Sequence, residues 1–278
     1  MVDAPLFTES DLFEISRLVK KQFGIALGPQ KRFLVKTRLQ KYIYSLGFKS
    51  FKDYLQYVEN DKTGRELAAL ADRISTNHTY FNRESAHFDF LWQTVIPYWA
   101  ARKSASEKIR IWSAGCSSGE EAYQIAMILN EYFGLNKVTD QAAILATDIS
   151  RRALKKAELG QFSKNNVIHL KKEWVQKYFM QVNEQVFVVK PFLKSLILFR
   201  RLNLVRERFP FKRKFHVIFC RNVMIYFDEP MREKLIFRFR RYLQPGGFLF
   251  LGHSESLSHR DPYFKYVQPS VYVRREQT

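Results

Sequence analysis

Trp112-Ser113-Ala114-Gly115-Cys116-Ser117-Ser118-Gly119-Glu120-Glu121 is the stretch on which the reading of the fold turns. Residues 108–112 before it form a short strand-like run, and residues 122–132 after it have helical character. A strand that ends in small residues and turns into a helix is the repeating unit of an open α/β sheet. Small residues there let the backbone approach a ligand at the carboxyl ends of the strands. The loop lacks the G-x-G-x-x-G fingerprint and has no phosphate-loop lysine, which favours a compact ligand over a pyrophosphate cofactor. A plain tight strand–helix turn would use the same residues.

Working outward, residues 142–146 read as a second strand ending at Asp148, and Ser150 starts a helix that runs to Leu159. Residues 215–220 read as a strand and residues 230–243 as a helix stopped by Pro245-Gly246-Gly247. Residues 248–252 are again strand-like. This alternation predicts a parallel sheet covered on both faces. Val186-Phe187-Val188-Val189 and Leu196-Ile197-Leu198-Phe199 read as antiparallel strands of a small insertion at about 180–203. Residues 8–80 read instead as short amphipathic helices. Thr8 to Asp11 offer caps before Leu12, Ile15, Leu18 and Val19, and Ser50 caps a helix carrying Phe51, Tyr54, Leu55 and Val58.

Asp148 narrows the ligand. A carboxylate at the end of the second strand can accept both hydroxyls of a ribose. It could also cap the next helix, but it stands two residues early for that.

The composition sets outer limits. Hydrophobic residues at 46% and charged residues at 26% are ordinary for a soluble globular chain of 278 residues. No apolar run approaches the roughly 20 residues of a membrane helix. The acidic N-terminus has no apolar core of a secretory signal, and two cysteines, Cys116 and Cys220, make no disulfide framework, so a cytoplasmic protein is expected. The net charge of +19 is unevenly spread. Residues 150–241 hold 23 Lys and Arg against 7 Asp and Glu, which favours an acidic partner or simply gives a solvated basic face. The six histidines, His78, His87 and His253 among them, show no paired ligand spacing, so no metal is expected.

Two further stretches carry a family resemblance: Ser75-Thr76-Asn77-His78-Thr79-Tyr80-Phe81-Asn82-Arg83-Glu84 with His87-Phe88, and Phe219-Cys220-Arg221-Asn222-Val223-Met224-Ile225-Tyr226-Phe227-Asp228. With the 113–121 loop and Gly252-His253-Ser254-Glu255, the chain resembles the CheR family of chemotaxis receptor methyltransferases over nearly its whole length. The resemblance implies a Rossmann-like class I methyltransferase domain over 89–278, with the antiparallel β-subdomain inserted, preceded by an all-helical domain and interdomain segment over 1–88. It implies S-adenosylmethionine as cofactor, S-adenosylhomocysteine as product and glutamate carboxylates of a methyl-accepting chemotaxis receptor as acceptors. Cofactor contacts are expected from Asn77, Thr79, Arg83, Glu121, Asp148, Asn203, Leu204, Arg221 and Asn222. Arg83 and Tyr226 are expected nearest the reacting centre. The segment before Arg83, with His78 and Tyr80-Phe81-Asn82, departs from the common family pattern.

The chemistry fits a carboxylate acceptor. A glutamate with a pKa of about 4.3 is already ionised at neutral pH and needs no general base. The enzyme has only to align carboxylate oxygen, methyl carbon and sulfur, and to shed water from the carboxylate. An arginine fork suits that task. Cys116 is expected to be a small loop residue and no nucleophile. Lys31, Arg32, Lys36, Arg38 and Lys41 flank the stripe of the second helix and would steer an acidic receptor helix bundle, or merely solvate that face. Members of the family can grip a receptor peptide by adding a strand to the β-subdomain, but the turn between Met180 and Val186 is short for that.

A nucleic-acid methyltransferase is the rival enzyme. Base-modifying enzymes often carry an acidic-Pro-Pro-aromatic motif where this chain has Arg221-Asn222-Val223-Met224. A non-catalytic adaptor is the rival from another class, and the presence of Arg83, Asp148 and Tyr226 argues against it. A monomer that binds receptor and not nucleic acid is expected.

Overall fold

The computed structural model describes residues 8–74, 77–258 and 261–276, with the side chains of residues 29–32, 34 and 35 left aside. Four helices come first: α1 (Glu9–Phe23), α2 (Pro29–Ser45), α3 (Phe51–Asn60) and α4 (Arg65–Ile74). Local chemistry sets their ends. Thr8 and Asp11 form a reciprocal capping box at the start of α1, and Gly24 closes it at φ 69°. Ser50 caps α3 through the Asp53 N–H. The helical spacing of Leu12, Ile15, Val19 and Phe23 puts all four in the core.

The strands are β1 (Ile109–Ala114), β2 (Ala142–Asp148), β3 (Gln161–Ser163), β4 (Phe179–Gln181), β5 (Val186–Val189), β6 (Ile197–Arg201), β7 (Phe215–Cys220), β8 (Leu243–Leu251), β9 (Phe264–Gln268) and β10 (Val271–Arg274). Seven of them form one sheet in the order β6-β2-β1-β7-β8-β10-β9. The five from β6 to β8 run parallel, and β10 pairs antiparallel with both β8 and β9. The cleft described below lies where the order reverses, beside the carboxyl ends of β1, β2 and β7. One core fills the face under the helix Glu120–Phe133, where Phe81 and Phe88 also pack. The other joins the inward faces of α1 to α4 to the opposite side of the sheet, around Trp112 and Phe239. The helical unit and the sheet thus share a continuous apolar core. Among the described residues no helix is long and apolar enough to cross a membrane.

Two expectations need correction. The antiparallel subdomain is the three-stranded sheet β3-β5-β4, which spans residues 161–189, and not 180–203. Residues 196–199 enter β6, which pairs in parallel with β2 from Ile144↔Ile197 to Asp148↔Arg201. An apolar run of that length does not encode its pairing partner. Second, Pro245-Gly246-Gly247 does not follow the helix Glu229–Tyr242 as a terminating turn. The helix ends at Tyr242, and the three residues lie within β8, where the pairing with β7 shifts between Phe215↔Leu243 and Val217↔Phe248. The ladder absorbs them as an irregularity next to the edge of the core.

Candidate active site

The 113–121 loop is shaped by positive φ angles: 90° at Gly115, 50° at Ser117 and 97° at Gly119. A Cβ on Gly115 would stand 2.4 Å from Cγ2 of Val223, so both its angle and its space require glycine. The amides of Gly115 and Cys116 donate to the Thr147 carbonyl at 2.7 and 2.9 Å. Ser117, a non-glycine residue in the left-handed region, is held by its N–H to Asp148 Oδ2 at 2.8 Å and by its hydroxyl to the Asn77 carbonyl at 3.1 Å. Cys116 is buried and burial pushes its thiol pKa well up, so it stays protonated.

Asp148 has a dual position. Its Oδ1 accepts from the Ser150 N–H at 2.8 Å, while Ser150 itself caps the helix Arg151–Leu159 through Ala153 N–H at 3.0 Å. The capping work therefore falls to Ser150. Asp148 braces the two strand-end loops against each other and still lines the cleft. Burial raises its pKa, and the backbone N–H groups of Ser150 and Ser117 oppose that rise.

Across the cleft, Arg221 is almost wholly enclosed by acids. Its Nε and Nη2 donate to Glu84 Oε2 at 3.2 and 3.1 Å, and its Nη1 to Glu121 Oε2 at 3.2 Å. Nη2 also donates to the Arg83 carbonyl. Glu121 accepts from Ser113 Oγ at 2.6 Å, and burial raises its pKa against the pull of Arg221. Arg221 was expected as a cofactor contact. It lines the cleft, with four of its five N–H donors bonded to the protein. Asn222, at φ 59°, gives its N–H to Glu255 Oε2 at 2.8 Å and its amide to Glu84 Oε1 at 3.3 Å.

The cleft so formed is open to solvent and spans about 1040 Å³ of empty space. All ten expected cofactor and catalytic residues line it: Asn77, Thr79, Arg83, Glu121, Asp148, Asn203, Leu204, Arg221, Asn222 and Tyr226. Arg83 donates Nη1 to the His78 carbonyl at 2.9 Å and has no carboxylate partner among the described residues. Asn203 donates Nδ2 to the Gln22 carbonyl at the end of α1 at 2.8 Å, which ties the helical unit to the sheet. Tyr226 accepts at its carbonyl from Ala26 N–H at 2.8 Å, beside the Ile25↔Phe227 bridge. The ion pair Lys20–Asp228 at 2.8 Å fastens the same seam. On α2, Lys41 is exposed and Arg38 reaches the Arg73 carbonyl at 3.4 Å; Lys36 is half-buried, and the side chains of Lys31 and Arg32 lie outside the described residues.

Glu84 and Glu255 stood inside the quoted motifs but were not singled out. Glu84, at φ 55°, accepts from Arg221, Asn222 and the His253 N–H. Glu255 accepts from the amides of Gly252, Asn222 and Ile225. For Glu84 the available signal was its place beside Arg83 in a motif, and the partners of both acids, 30 or more residues away in most cases, gave none. Glu84, His87 and His253 also converge to within 4.8 Å of one another. The Arg221 guanidinium already sits on Glu84, and burial and Arg221 lower the His87 pKa to about 4. A metal cation there would meet a fixed positive charge.

An open sheet of this order, with a half-buried acid at the second strand end and a small-residue loop at the first, is the fold of a nucleoside-binding transferase of the class I methyltransferase type. The comparisons give the particular family. Residues 77–273 match the model described as CheR methyltransferase, SAM binding domain, and residues 10–75 match CheR methyltransferase, all-alpha domain. The chain is 43% identical over 269 residues to the chemotaxis protein methyltransferase of Borreliella burgdorferi, covering 96% of this chain and 95% of that one. It is 35% identical to chemotaxis protein methyltransferase 1 of Pseudomonas aeruginosa, with 94% and 97% covered. It is 34% identical to the Escherichia coli chemotaxis protein methyltransferase, with 98% and 93% covered. The chain belongs to the CheR methyltransferase family. It is an S-adenosylmethionine-dependent methyltransferase whose reaction esterifies glutamate carboxylates of chemotaxis receptors.

Proposed function

We propose that the cleft between the helical unit, residues 1–88, and the sheet holds S-adenosylmethionine between the loop 113–121 and the segments 77–83 and 221–226, with its methyl turned toward the receptor glutamate. The donor set suits that cofactor. Asp148 has carboxylate lone pairs left beyond its two backbone bonds for ribose hydroxyls. Glu121 offers a carboxylate to the ammonium group. Ile149, Leu202 and Leu204 supply an apolar wall for adenine. Asn77 and Thr79 close the cleft from the interdomain segment, and Asn203 and Asn222 hold its rims. The observation that carries this reading is the convergence of two half-buried carboxylates, Asp148 and Glu121, on one cleft that also receives Arg83.

The bound cofactor supplies a sulfonium methyl open to direct displacement. The protein's task is then orientation. Arg83, whose guanidinium is only partly engaged by the His78 carbonyl, holds the acceptor carboxylate and strips its water. Tyr226 positions the reacting centre. Arg221 acts one step back, by fixing Glu121 and the Arg83 peptide. No general base is needed, because the acceptor is ionised. Receptor capture falls to the basic residues of α2, Lys31, Arg32, Lys36, Arg38 and Lys41, and the protein works as a cytoplasmic monomer at the receptor.

Incubation with methyl-labelled S-adenosylmethionine and receptor-containing membranes tests this. The expected product is a base-labile ester that releases methanol. Arg83→Ala should abolish most transfer while the fold persists; near-normal turnover in that variant would remove Arg83 from the reaction. Raising salt should slow receptor methylation more than cofactor binding; an equal response would exclude steering.

A further inference from the structure

Apart from Arg221, the basic residues of 150–241 do not line the cleft, yet a portion of them converges at one place. Arg151 opens the helix that follows Asp148 and Ile149, both of which line the cleft. Lys155 stands one turn further along the same face. Arg201 ends β6 and is the ladder partner of Asp148. Arg206 follows Asn203 and Leu204 in the loop on the cleft rim. All four are exposed.

These cations crowd one another. Arg201 gives Nε to the Ile149 carbonyl at 3.1 Å, which pins its head against the rim, and Arg151 and Arg206 are both close enough to repel it. The nearby acid, Asp72 on α4, offsets part of this repulsion at Arg201, and it accepts from the Arg152 backbone N–H and, through its own carbonyl, from Arg152 Nη2, each at 3.4 Å. Among the described residues, Arg151, Lys155 and Arg206 have no carboxylate partner. A fold gains nothing from gathering unpaired like charges at a rim. A binding surface for an anionic partner does gain, through faster encounter and fixed register.

The position decides which anionic partner. α4 packs against α2 on one side and against the helix Arg151–Leu159 on the other. Arg38 on α2 reaches the Arg73 carbonyl on α4. The basic face of α2 is therefore continued, over α4, to the rim cations of the sheet unit, on the Asp148 side of the cleft mouth. We infer that Arg151, Lys155, Arg201 and Arg206 form a second receptor-docking surface, which takes an acidic helix of the same bundle whose glutamate enters the cleft. This rests on the receptor-methylating reading above. It assigns to the sheet unit a share of substrate recognition that the α2 face alone would not supply, and it would fix the helix at both sides of the cleft.

The test is the triple variant Arg151→Gln, Lys155→Gln, Arg206→Gln, compared with the wild type on receptor-containing membranes across a salt series. S-adenosylhomocysteine affinity by calorimetry reports the fold and should be unchanged. The KM for receptor should rise roughly three- to tenfold, and the dependence of KM on salt should flatten. An unchanged KM and an unchanged salt slope, with cofactor binding intact, would overturn the docking surface while leaving the methyltransferase reading standing. Absence of ester label on receptor with the wild type would overturn that reading and this one together. Receptor-free vesicles of anionic phosphatidylglycerol form a control arm: if the variant loses binding to these vesicles and keeps its receptor KM, the surface reads lipid and the proposal falls.

Discussion

Arg221 and Glu84, 137 residues apart, meet through two donors on one oxygen: Nε and Nη2 of the arginine lie 3.2 and 3.1 Å from Glu84 Oε2. The other oxygen, Oε1, takes the Asn222 amide at 3.3 Å and the His253 N–H at 3.2 Å. Burial works against ionising Glu84, but Arg221 and these donors overcome it and hold the carboxyl below its ordinary range. Glu84 therefore ties the interdomain segment to the loops after β7 and β8.

Glu84→Gln keeps the shape but only one acceptor oxygen, and turns an amide against donors. Stability should fall by about 3 kcal/mol, the order expected for breaking a buried pair. Because the folded-state pKa of Glu84 is lowered, its contribution is present at neutral pH and is lost as pH falls through that pKa. The gap between wild type and variant in urea unfolding should thus close in acid. A gap that stays constant to low pH would show that Glu84 is not the ionised hub.

Asp148→Asn tests the other carboxylate. Asparagine can still accept one of the two backbone N–H bonds, and it removes the cost of a buried charge, so stability should change by about 1 kcal/mol or less. Affinity for S-adenosylhomocysteine should drop roughly tenfold or more, because the acceptor for the ribose hydroxyls becomes partly a donor. Calorimetry on the same samples separates the two effects.

Gly115→Ala should disable the loop. The new methyl group would stand 2.4 Å from Val223 Cγ2 at a φ of 90°. Adding Val223→Ala removes the clash but not the backbone strain, which still costs about 1–2 kcal/mol. The double variant should regain part, and only part, of cofactor binding. Full recovery would mean that space alone selects glycine there.

Glu120 supplies a pH prediction. It is buried at the start of the helix Glu120–Phe133, and burial raises its pKa to about 7 against the Ser118 hydroxyl. A carboxyl whose folded pKa lies above its unfolded one stabilises fully below the unfolded value and loses that stabilisation as pH rises through the folded one. Between roughly pH 4.5 and 7 the wild type should lose about 3 kcal/mol relative to Glu120→Gln. Parallel stability curves for the two proteins would contradict the raised pKa.

Much of this was open to a reader of the sequence because it is local. Thr8 and Ser50 cap their helices by bonds within three residues. The 113–121 loop turns at Gly115 and Gly119, where both the angle and the space exclude a side chain. The motifs at 77–83, 113–121, 148, 203–204 and 221–226 each named residues that the fold brings to one cleft. What the sequence did not carry is pairing. Ile197–Arg201 has the composition of an antiparallel or a parallel strand, and only the register against β2 makes it the edge of the main sheet and puts Arg201 beside Asp148. Pro245-Gly246-Gly247 reads as a helix stop, and only the partner strand β7 draws it into β8. Arg221 reads as a ligand contact, and only Glu84 and Glu121, brought in from 137 and 100 residues away, reveal that it also braces the cleft it lines. Torsional preferences and caps act over a few residues, whereas ladder partners and ion pairs are chosen when distant segments bury one another.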